Sequence, residues 1–393
     1  MNRITSEVKD GTLTVFLIGR VDSNNAAETE SKILEIVDAN KDKDLVLDAA
    51  ELEYISSAGL RIVLHFRKLY PDLKMINVNS DVYEILDMTG FTEMINVEKA
   101  YRVVSIEGCE EIGRGANGTV YRIDTDNVVK VYNNADALED IQHEREVARL
   151  ALVLGIPTAI SYDVVRVNDS YGSVFELLEA TSFTKMLVRT PEKMDWVVDE
   201  YIKLLKLIHG TVVPKGKLPD FRERFIKWGH QVGPRLPKEL GDKLIAMIEA
   251  IPQDDHMIHG DYHTKNVMLQ KDEVLLIDMD TICIGYPIFE FAGIYNAFVG
   301  YSEVDPDVIM QFQGFDQATG KTFWRKAIEA YIGTTDEEKV QAFEDKARIL
   351  GYTRLIRRGM DKGLINTERG KKEDELWISE LCTLLERTDT LLF

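Results

Sequence analysis

The chain has 393 residues, 45% of them hydrophobic and 29% charged, and this composition predicts a globular protein with a sizeable core and roughly two or three domains. The formal net charge of −20 argues against a general nucleic-acid or anionic-membrane binder, because phosphate groups are held by clustered Lys and Arg. Three widely separated cysteines, Cys109, Cys283 and Cys382, indicate neither a disulfide framework nor a zinc site.

The first residues, MNRITSEVKDG, are polar and lack the apolar core of a signal peptide. No stretch approaches the ~18 uninterrupted apolar residues of a membrane span. With the cysteine usage, these features predict a cytoplasmic protein with neither a nucleic-acid nor a membrane partner.

Residues 1–100 alternate between strand and helix patterns. Strands are predicted at TLTVFLIG (12–19), DLVLDA (44–49) and MINV (75–78), and helices at NAAETESKILEIVDAN (25–40), AGLRIVLHFRKLY (58–70) and DVYEILDMTGF (81–91). This order predicts one small α/β domain.

Two stretches of this region, LIGRVDSNNA and LVLDAAELEYISSAGLRIVL, resemble the STAS domain of bacterial anti-sigma-factor antagonists. The resemblance covers roughly residues 1–100 and implies a regulatory domain with a protein partner, switched by phosphorylation of a serine. It places that serine at Ser57, in SSAGL, and Ser56 stands where the family has an aspartate. The alternative is that Ser57 only caps the following helix.

A glycine-rich stretch, EIGRGANGTVYRIDTDNVVKV, begins at Glu111. Gly113, Gly115 and Gly118 have the G-x-G-x-x-G-x-V spacing, and a second β-rich run carries Lys130. Glycines there let backbone N–H groups approach phosphates, and Lys130 would neutralise phosphate charge. A tight hairpin with glycines is the structural alternative.

The next helical pattern, ALEDIQHEREVARLALVLG, offers two acids to pair with Lys130, Glu144 and Glu146. The kinase pattern and the position before the apolar run favour Glu146. The strand-like YGSVFELLEA then predicts a hinge at which backbone groups of Glu176 to Leu178 read adenine.

The stretch HGDYHTKN places Asp261 and Asn266 at the spacing of the kinase pattern H-R-D-x-x-x-x-N. In that pattern the Asp accepts the proton of the substrate hydroxyl and the Asn holds magnesium. The apolar run VLLIDMD brings Asp278 to the position of the second magnesium ligand, with Asp280 as a secondary candidate.

His259 and His263 flank Asp261 and invite a zinc interpretation. Gly260 interrupts any H-E-x-x-H register, and no third ligand stands at a sensible spacing. Hydrogen bonding that holds the loop is therefore the favoured role of these histidines.

Taken together, the form HGDxHxxN…IDxD resembles the aminoglycoside phosphotransferase and choline kinase group over about residues 105–393. The resemblance implies a two-lobed protein-kinase-like fold that uses ATP and Mg²⁺ to phosphorylate a hydroxyl of a small molecule. The chain departs from that group at GYPIFEFA, where Tyr286 and Glu290 stand in place of acidic residues of the family.

The predicted fold class is thus a two-domain α/β (α+β) protein. A STAS-like regulatory domain at 1–100 precedes a kinase-like phosphotransferase domain at 101–393, with an N-lobe at about 101–180 and a C-lobe with a helical end at about 181–393. The short segment after Asp278 favours a small acceptor over a peptide. Arg354, Arg357 and Arg358 form either an anion site or a solvated basic face.

Two other functions remain open from the sequence. One is a signalling protein that binds nucleotide as a switch and acts through the partner of its STAS-like domain. The other is a protein kinase that phosphorylates Ser57.

Overall fold

The computed structural model of the protein describes residues 3–115, 117–135 and 137–393. Contacts divide the chain into two compact units. The first comprises Met1–Cys109, Val131–Ala135 and Val164–Gly172, and the second comprises Glu110–Lys130, Asp136–Asp163 and Ser173–Phe393.

The N-terminal region is an α/β domain. Its strands are β1 (Arg3–Lys9), β2 (Thr12–Val21), β3 (Asp44–Asp48), β4 (Leu52–Ile55), β5 (Lys74–Val78) and β6 (Asn96–Lys99), and its helices are α1 (Ala26–Asp38), α2 (Ser57–Leu69), α3 (Ser80–Met88) and α4 (Phe91–Met94). The sheet order is β1-β2-β3-β5-β6, with β4 paired to β2. Strands β1 and β2 are antiparallel, and the other pairings are parallel.

The sequence explains these elements locally. Strand β2 alternates buried Leu13, Val15 and Leu17 with partly exposed residues, the pattern of a half-buried strand. Asp10 and Gly11 turn β1 into β2 with φ of 48° and 85°, as a two-residue hairpin turn requires. The three predicted strands and three predicted helices are present in the predicted order, but the prediction omitted strands β1, β4 and β6 and the short helix α4.

A second six-stranded sheet has the order β7-β11-β12-β10-β9-β8. Its strands are β7 (Arg102–Val103), β8 (Glu110–Arg114), β9 (Gly118–Arg122), β10 (Asn127–Tyr132), β11 (Asp163–Val167) and β12 (Ser170–Glu176). Helix α5 (Leu138–Val153) lies between β10 and β11 in the chain.

The remainder of the chain is mostly helical. Its helices are α6 (Phe183–Arg189), α7 (Met194–His209), α8 (Phe221–Val232), α9 (Lys238–Glu249), α10 (Ile288–Phe298), α11 (Asp307–Gln313), α12 (Gln317–Ile332), α13 (Glu337–Asp361) and α14 (Glu368–Arg387). Short strands β13 (Ala180–Ser182), β14 (Met257–Ile258), β15 (Val267–Gln270), β16 (Glu273–Leu276) and β17 (Cys283–Ile284) form two small sheets, β13-β15-β16 and β14-β17.

Helix α10 forms the centre of this helical core. Its sequence, IFEFAGIYNAF, is apolar on nearly every side, and ten of its eleven residues are buried. A helix that is hydrophobic all round belongs in the interior, and α10 packs against α12 and α13. It therefore gives the loops that precede it a rigid support. None of the helices in the described ranges is long and apolar enough to cross a bilayer.

Candidate active site

The predicted glycine loop is a hairpin between β8 and β9. The N–H of Gly115 donates to the carbonyl of Gly118 at 2.9 Å, and Ala116 lies outside the described residues. A Cβ added to Gly113 or to Gly115 would meet its nearest atom only at 3.9 Å, so the protein's own packing does not demand glycine at either position. The absence of side chains at these two positions is compatible with the predicted phosphate-binding role, which stays a prediction.

Lys130, on β10, lies at the centre of the predicted site. Its Nζ is 3.0 Å from both carboxylate oxygens of Glu144 and 3.3 Å from Oδ1 of Asp278. The ammonium therefore connects α5 to the loop that follows β16. This arrangement places a fixed positive charge beside a carboxylate predicted to bind metal.

The preference for Glu146 over Glu144 was wrong. Glu144 is buried on the face of α5 that carries Ile141, Ala148 and Ala151, whereas Glu146 is exposed. Residues spaced by three, four and seven share a helix face, so the apolar periodicity already contained the correct answer. The prediction had relied on the kinase pattern and on the position of Glu146 just before the apolar run, and it had not asked which glutamate lies on the buried face of the helix.

The predicted hinge leaves strand β12 at Glu176. The N–H of Leu177 donates to the carbonyl of Asp126 at 2.6 Å, which ties the segment to the turn before β10. Leu178 follows, and β13 and α6 begin a few residues later. Glu176 and Leu178 thus flank a fixed backbone position, and a role for them in adenine binding stays a prediction.

Asp261 lies in the loop between β14 and β15, with Oδ2 3.5 Å from Nε2 of His263. Burial raises the pKa of Asp261, but the neighbouring imidazole of His263 and the charge of Arg354 outweigh it and hold the pKa at about 2. The group is therefore a carboxylate at neutral pH. It can accept a hydrogen bond from a hydroxyl.

Asn266 is buried at the end of the same loop. The side-chain Nδ2 of Asn266 donates to the backbone carbonyl of Asp261 at 3.2 Å. The backbone carbonyl of Asn266 accepts from the N–H of Ile277. With its nitrogen committed to the loop, the oxygen Oδ1 is the atom left to act as a ligand.

Asp278 and Asp280 follow β16. Asp278 has a φ of 64°, a left-handed conformation that is uncommon outside glycine. Burial and the neighbouring Asp278 raise the pKa of Asp280 to about 6, and Nδ2 of Asn117 donates to Asp280 at 2.9 Å. Two crowded carboxylates, one with a raised pKa, favour a bound cation.

The candidate metal donors are oxygen atoms. In the part of the chain that the structure describes, no group of three or more His, Cys, Asp or Glu residues could hold a metal ion. Magnesium needs only one or two protein carboxylates when substrate phosphates supply further oxygens. Asp278 and the amide oxygen of Asn266 are oxygen donors of that kind.

Glu290, one of the two residues that depart from the family pattern, is fully buried in the first turn of α10. Its carboxylate accepts the N–H of His259 at 2.5 Å and the N–H of Gly260 at 3.0 Å. Burial raises the pKa of Glu290, but the imidazole of His209, whose Nε2 lies 3.9 Å from Oε2, and the N–H of His259 together hold it below its ordinary value. Glu290 therefore anchors the loop that carries Asp261.

Arg354 completes the anchoring of that loop. From α13, its Nη1 donates to the carbonyl of Gly260 at 3.1 Å. Arg357, by contrast, pairs with Asp361, and Arg358 stands over the ring of Tyr301. Of these three arginines, Arg354 contacts the loop of Asp261, and the other two have different partners.

The two histidines have loop-holding contacts. His259 is buried, which lowers its pKa, and its Nδ1 accepts the N–H of Asp261 at 3.3 Å. His263 lies beside Asp261 and packs its ring against Phe312. His259 therefore bonds the loop as predicted, while the ring of His263 lies against the carboxylate of Asp261 without a hydrogen bond of its own to a described residue.

A family model described as the phosphotransferase enzyme family matches residues 108–326, which is more than half of the chain. The chain belongs to this family. A STAS domain model matches residues 3–104 of this phosphotransferase. Both resemblances predicted from the motifs, and the predicted fold class with its kinase-like second part, are therefore confirmed.

The N-terminal match extends to a curated relative. BtrV of Bordetella bronchiseptica, a candidate anti-sigma factor antagonist, is 34% identical over 99 residues, which make up 24% of this chain and 84% of that protein.

Among solved structures, the phosphotransferase is similar to APH(2'')-IIa, an aminoglycoside phosphotransferase in a ternary complex with streptomycin and ATP. The identity is 16%, the TM-score is 0.45, and the match covers 70% of this chain and 93% of that one. A choline/ethanolamine kinase family protein from Mesorhizobium loti has 14% identity and a TM-score of 0.44, with 71% of this chain and 88% of that one covered.

In the STAS domain of the phosphotransferase, the helix cap is Ser56. Its hydroxyl accepts from the N–H groups of Ala58 and Gly59, at 3.2 and 3.4 Å. Ser57 is the exposed first residue of α2. The alternative role for Ser57, capping, is thus taken by its neighbour.

Three contacts of the site were not predicted from the sequence. The carboxylate of Glu290 accepts from two N–H groups of the loop, Arg354 donates to the carbonyl of Gly260, and Asn117 donates to Asp280. The acidic residue in GYPIFEFA and the arginines of α13 were noticed, but their partners lie 30 and 94 residues away in the chain. No local pattern reports such a contact.

Proposed function

We propose that this phosphotransferase moves the γ-phosphate of ATP, in the presence of Mg²⁺, to a hydroxyl of a small molecule, and that its STAS domain is regulatory. The observation that carries the proposal is the linked set of Lys130, Glu144 and Asp278 beside a loop that holds Asp261 and Asn266. We keep the domain limits at 1–100 and 101–393, with lobes at about 101–180 and 181–393.

Each residue has a distinct role in this proposal. Gly113, Gly115 and Gly118 admit the phosphates to the backbone of the hairpin, and Lys130, oriented by Glu144, pairs with phosphate oxygens. Backbone groups of Glu176 and Leu178 receive the adenine.

Asn266 and Asp278 supply the protein oxygens for Mg²⁺, which when bound neutralises phosphate charge. Asp261, a carboxylate at neutral pH, orients the acceptor hydroxyl and takes its proton as the phosphoryl group leaves the donor. The anchors on Gly260 hold Asp261 in place for that transfer.

A small acceptor is supported by the short connection after the metal-binding carboxylate. Helix α10 begins at Ile288, soon after Asp278, and strand β17 occupies part of the interval. A long segment that could dock a peptide does not fit between them.

The test is transfer of labelled phosphate from ATP and Mg²⁺ by purified full-length protein to a panel of amino-alcohols, sugars, hydroxy acids and aminoglycosides. Asp261→Asn should lower the rate at least ~100-fold, the usual size of a general-base contribution. Unchanged turnover in that variant would remove Asp261 from its role.

A second candidate function rests on the exposure of Ser57 at the start of α2. A phosphate there would be favoured by the helix dipole, and the protein would act as a nucleotide-responsive signalling protein or a kinase of STAS serines. Mass spectrometry after incubation with ATP and Mg²⁺ tests this. An unmodified Ser57 peptide, with label on a small molecule, decides against it.

A further inference from the structure

A cavity of about 280 Å³ lies where α11, α13 and α14 meet the short turn after α10. Most of its wall is apolar and consists of Tyr301, Val308, Leu355, Leu364, Ile365 and Trp377. This volume approaches the ~300 Å³ at which small-molecule sites begin. The cavity therefore has room for a compact organic molecule.

The two arginines in the cavity wall differ in their charge partners. Arg369 is matched by two carboxylates, Asp305 at 3.0 Å and Glu373 at 2.7 Å. Arg358 has no carboxylate partner among the described residues, and its guanidinium lies 5.2 Å from the ring centroid of Tyr301. In a chain of net charge −20, an uncompensated arginine in an apolar cavity is an unusual feature that favours an anionic ligand.

Two further features of the wall point the same way. Helix α14 begins at the cavity edge, with Thr367 as its N-cap and Gly370 in the wall, so the positive end of a 20-residue helix adds to the field of Arg358. Trp377, which is nearly fully buried, has an indole N–H without an acceptor among the described residues. A donor-rich wall suits a ligand that brings acceptor oxygens.

Two chains of side-chain contacts connect the cavity wall to the loop that carries Asp261. Arg358 follows Arg354 by one helical turn, about 6 Å along α13, and Arg354 donates to the residue before Asp261. On the other side, the ring of Phe312 lies 5.3 Å from that of His263 and 6.5 Å from that of Tyr301. Both paths lead from the catalytic loop to the cavity wall.

We propose that this cavity holds the far end of the acceptor, and that the acceptor is a hydroxylated small molecule with an apolar portion and an anionic group, a carboxylate or a phosphate, bound by Arg358. This inference rests on the proposed function, because it assumes that a hydroxyl is placed at Asp261. It deepens that function by naming the class of acceptor. A polycationic acceptor does not match this wall.

The first experiment measures binding without turnover. Full-length protein is titrated with benzoate, phenyl phosphate and neutral benzyl alcohol, and binding is followed by ligand-observed NMR. Anion binding should fall about 10- to 100-fold in Arg358→Met, as expected for loss of a charged hydrogen bond, while binding of benzyl alcohol should change little. The better of the two anions identifies the group as carboxylate or phosphate.

Arg357→Met is the matched control. Arg357 is the neighbouring arginine on α13, packs on Trp228 and pairs with Asp361, and does not line the cavity. It should leave anion binding unchanged. Equal binding of neutral and anionic probes, no detectable binding of either anion, or equal losses in the two variants would overturn the assignment.

The second experiment separates this inference from the proposed function. Hydroxy acids and their neutral amides are compared as acceptors in the labelled-phosphate assay, with slow ATP hydrolysis as the internal measure of a working site. Preference for the acids, lost in Arg358→Met while hydrolysis persists, supports the inference. Transfer to neutral or cationic acceptors that Arg358→Met does not affect overturns it and leaves the proposed function standing. Anion binding with no transfer or hydrolysis at all overturns the proposed function instead.

Discussion

Glu290 and Arg354 hold opposite ends of the same residue. The carboxylate of Glu290 accepts the N–H of Gly260 at 3.0 Å, and the guanidinium of Arg354 donates to the carbonyl of Gly260 at 3.1 Å. One side chain comes from α10 and the other from α13, so two packed helices determine the position of the residue that precedes Asp261.

Glu290→Gln should destabilise the fold at pH 7 by about 3 kcal/mol, because a buried carboxylate bonded to N–H groups is replaced by an amide that cannot accept both. The pKa of Glu290 is below its ordinary value of 4.5, so its contribution is present above that pH and is lost as the pH falls through the lower, folded value. The difference from the wild type, measured by urea unfolding at several pH values, should therefore shrink below about pH 4.5. Glu239→Gln, an exposed glutamate in the first turn of α9, is the control and should change stability little. A difference that grows on acidification contradicts the assignment.

Gly260→Ala should lower the free energy of unfolding more than replacement of a glycine at an open position does. Gly260 has a φ of 81°, and an added Cβ would lie 2.7 Å from the carbonyl oxygen of Thr281. Gly216 has a φ of 76° with no atom within 4 Å, so Gly216→Ala measures the conformational cost alone, about 1 kcal/mol. We expect Gly260→Ala to lose more than ~2 kcal/mol in denaturant unfolding, together with most activity. Equal losses in the two variants would show that the loop relaxes around the new methyl group.

Glu144→Gln should lower phosphotransfer by about 100-fold, because the ammonium of Lys130 loses the carboxylate that orients it. Glu146→Gln is the matched control on the same helix, two residues away and exposed, and should retain nearly full activity. Steady-state assays with ATP as the varied substrate measure both. The reverse ranking would restore the sequence-based choice of Glu146.

Arg354 is a positioning residue, and its loss should appear in kcat more than in the KM for ATP. Arg354→Met should reduce kcat about 10- to 100-fold through displacement of Asp261, and Arg354→Lys should recover part of the loss by keeping the charge. Because Arg354 contributes to the low pKa of Asp261, the acid limb of the kcat profile should move to higher pH in Arg354→Met. A simple loss of folded protein, with kcat per active site and the pH profile unchanged, would assign Arg354 a structural role only.

Much of this protein could be predicted from its sequence, since the decisive signals are local. The alternation of Leu13, Val15 and Leu17 depends only on neighbouring residues, and it predicts strand β2. The spacing of Asp261 and Asn266, and the acid that ends the apolar run at Asp278, likewise depend on a short stretch of chain. Such patterns can be recognised in the sequence alone, because the backbone geometry of a helix or strand fixes the spacing of its buried residues.

Tertiary structure decided which groups meet. Glu290 and Arg354 became anchors because α10 and α13 pack beside the loop of Asp261. Arg358 differs from Arg357 only in where α13 directs each side chain. These partners are far apart in the chain, and their contacts exist only when packing of the apolar faces brings the helices together.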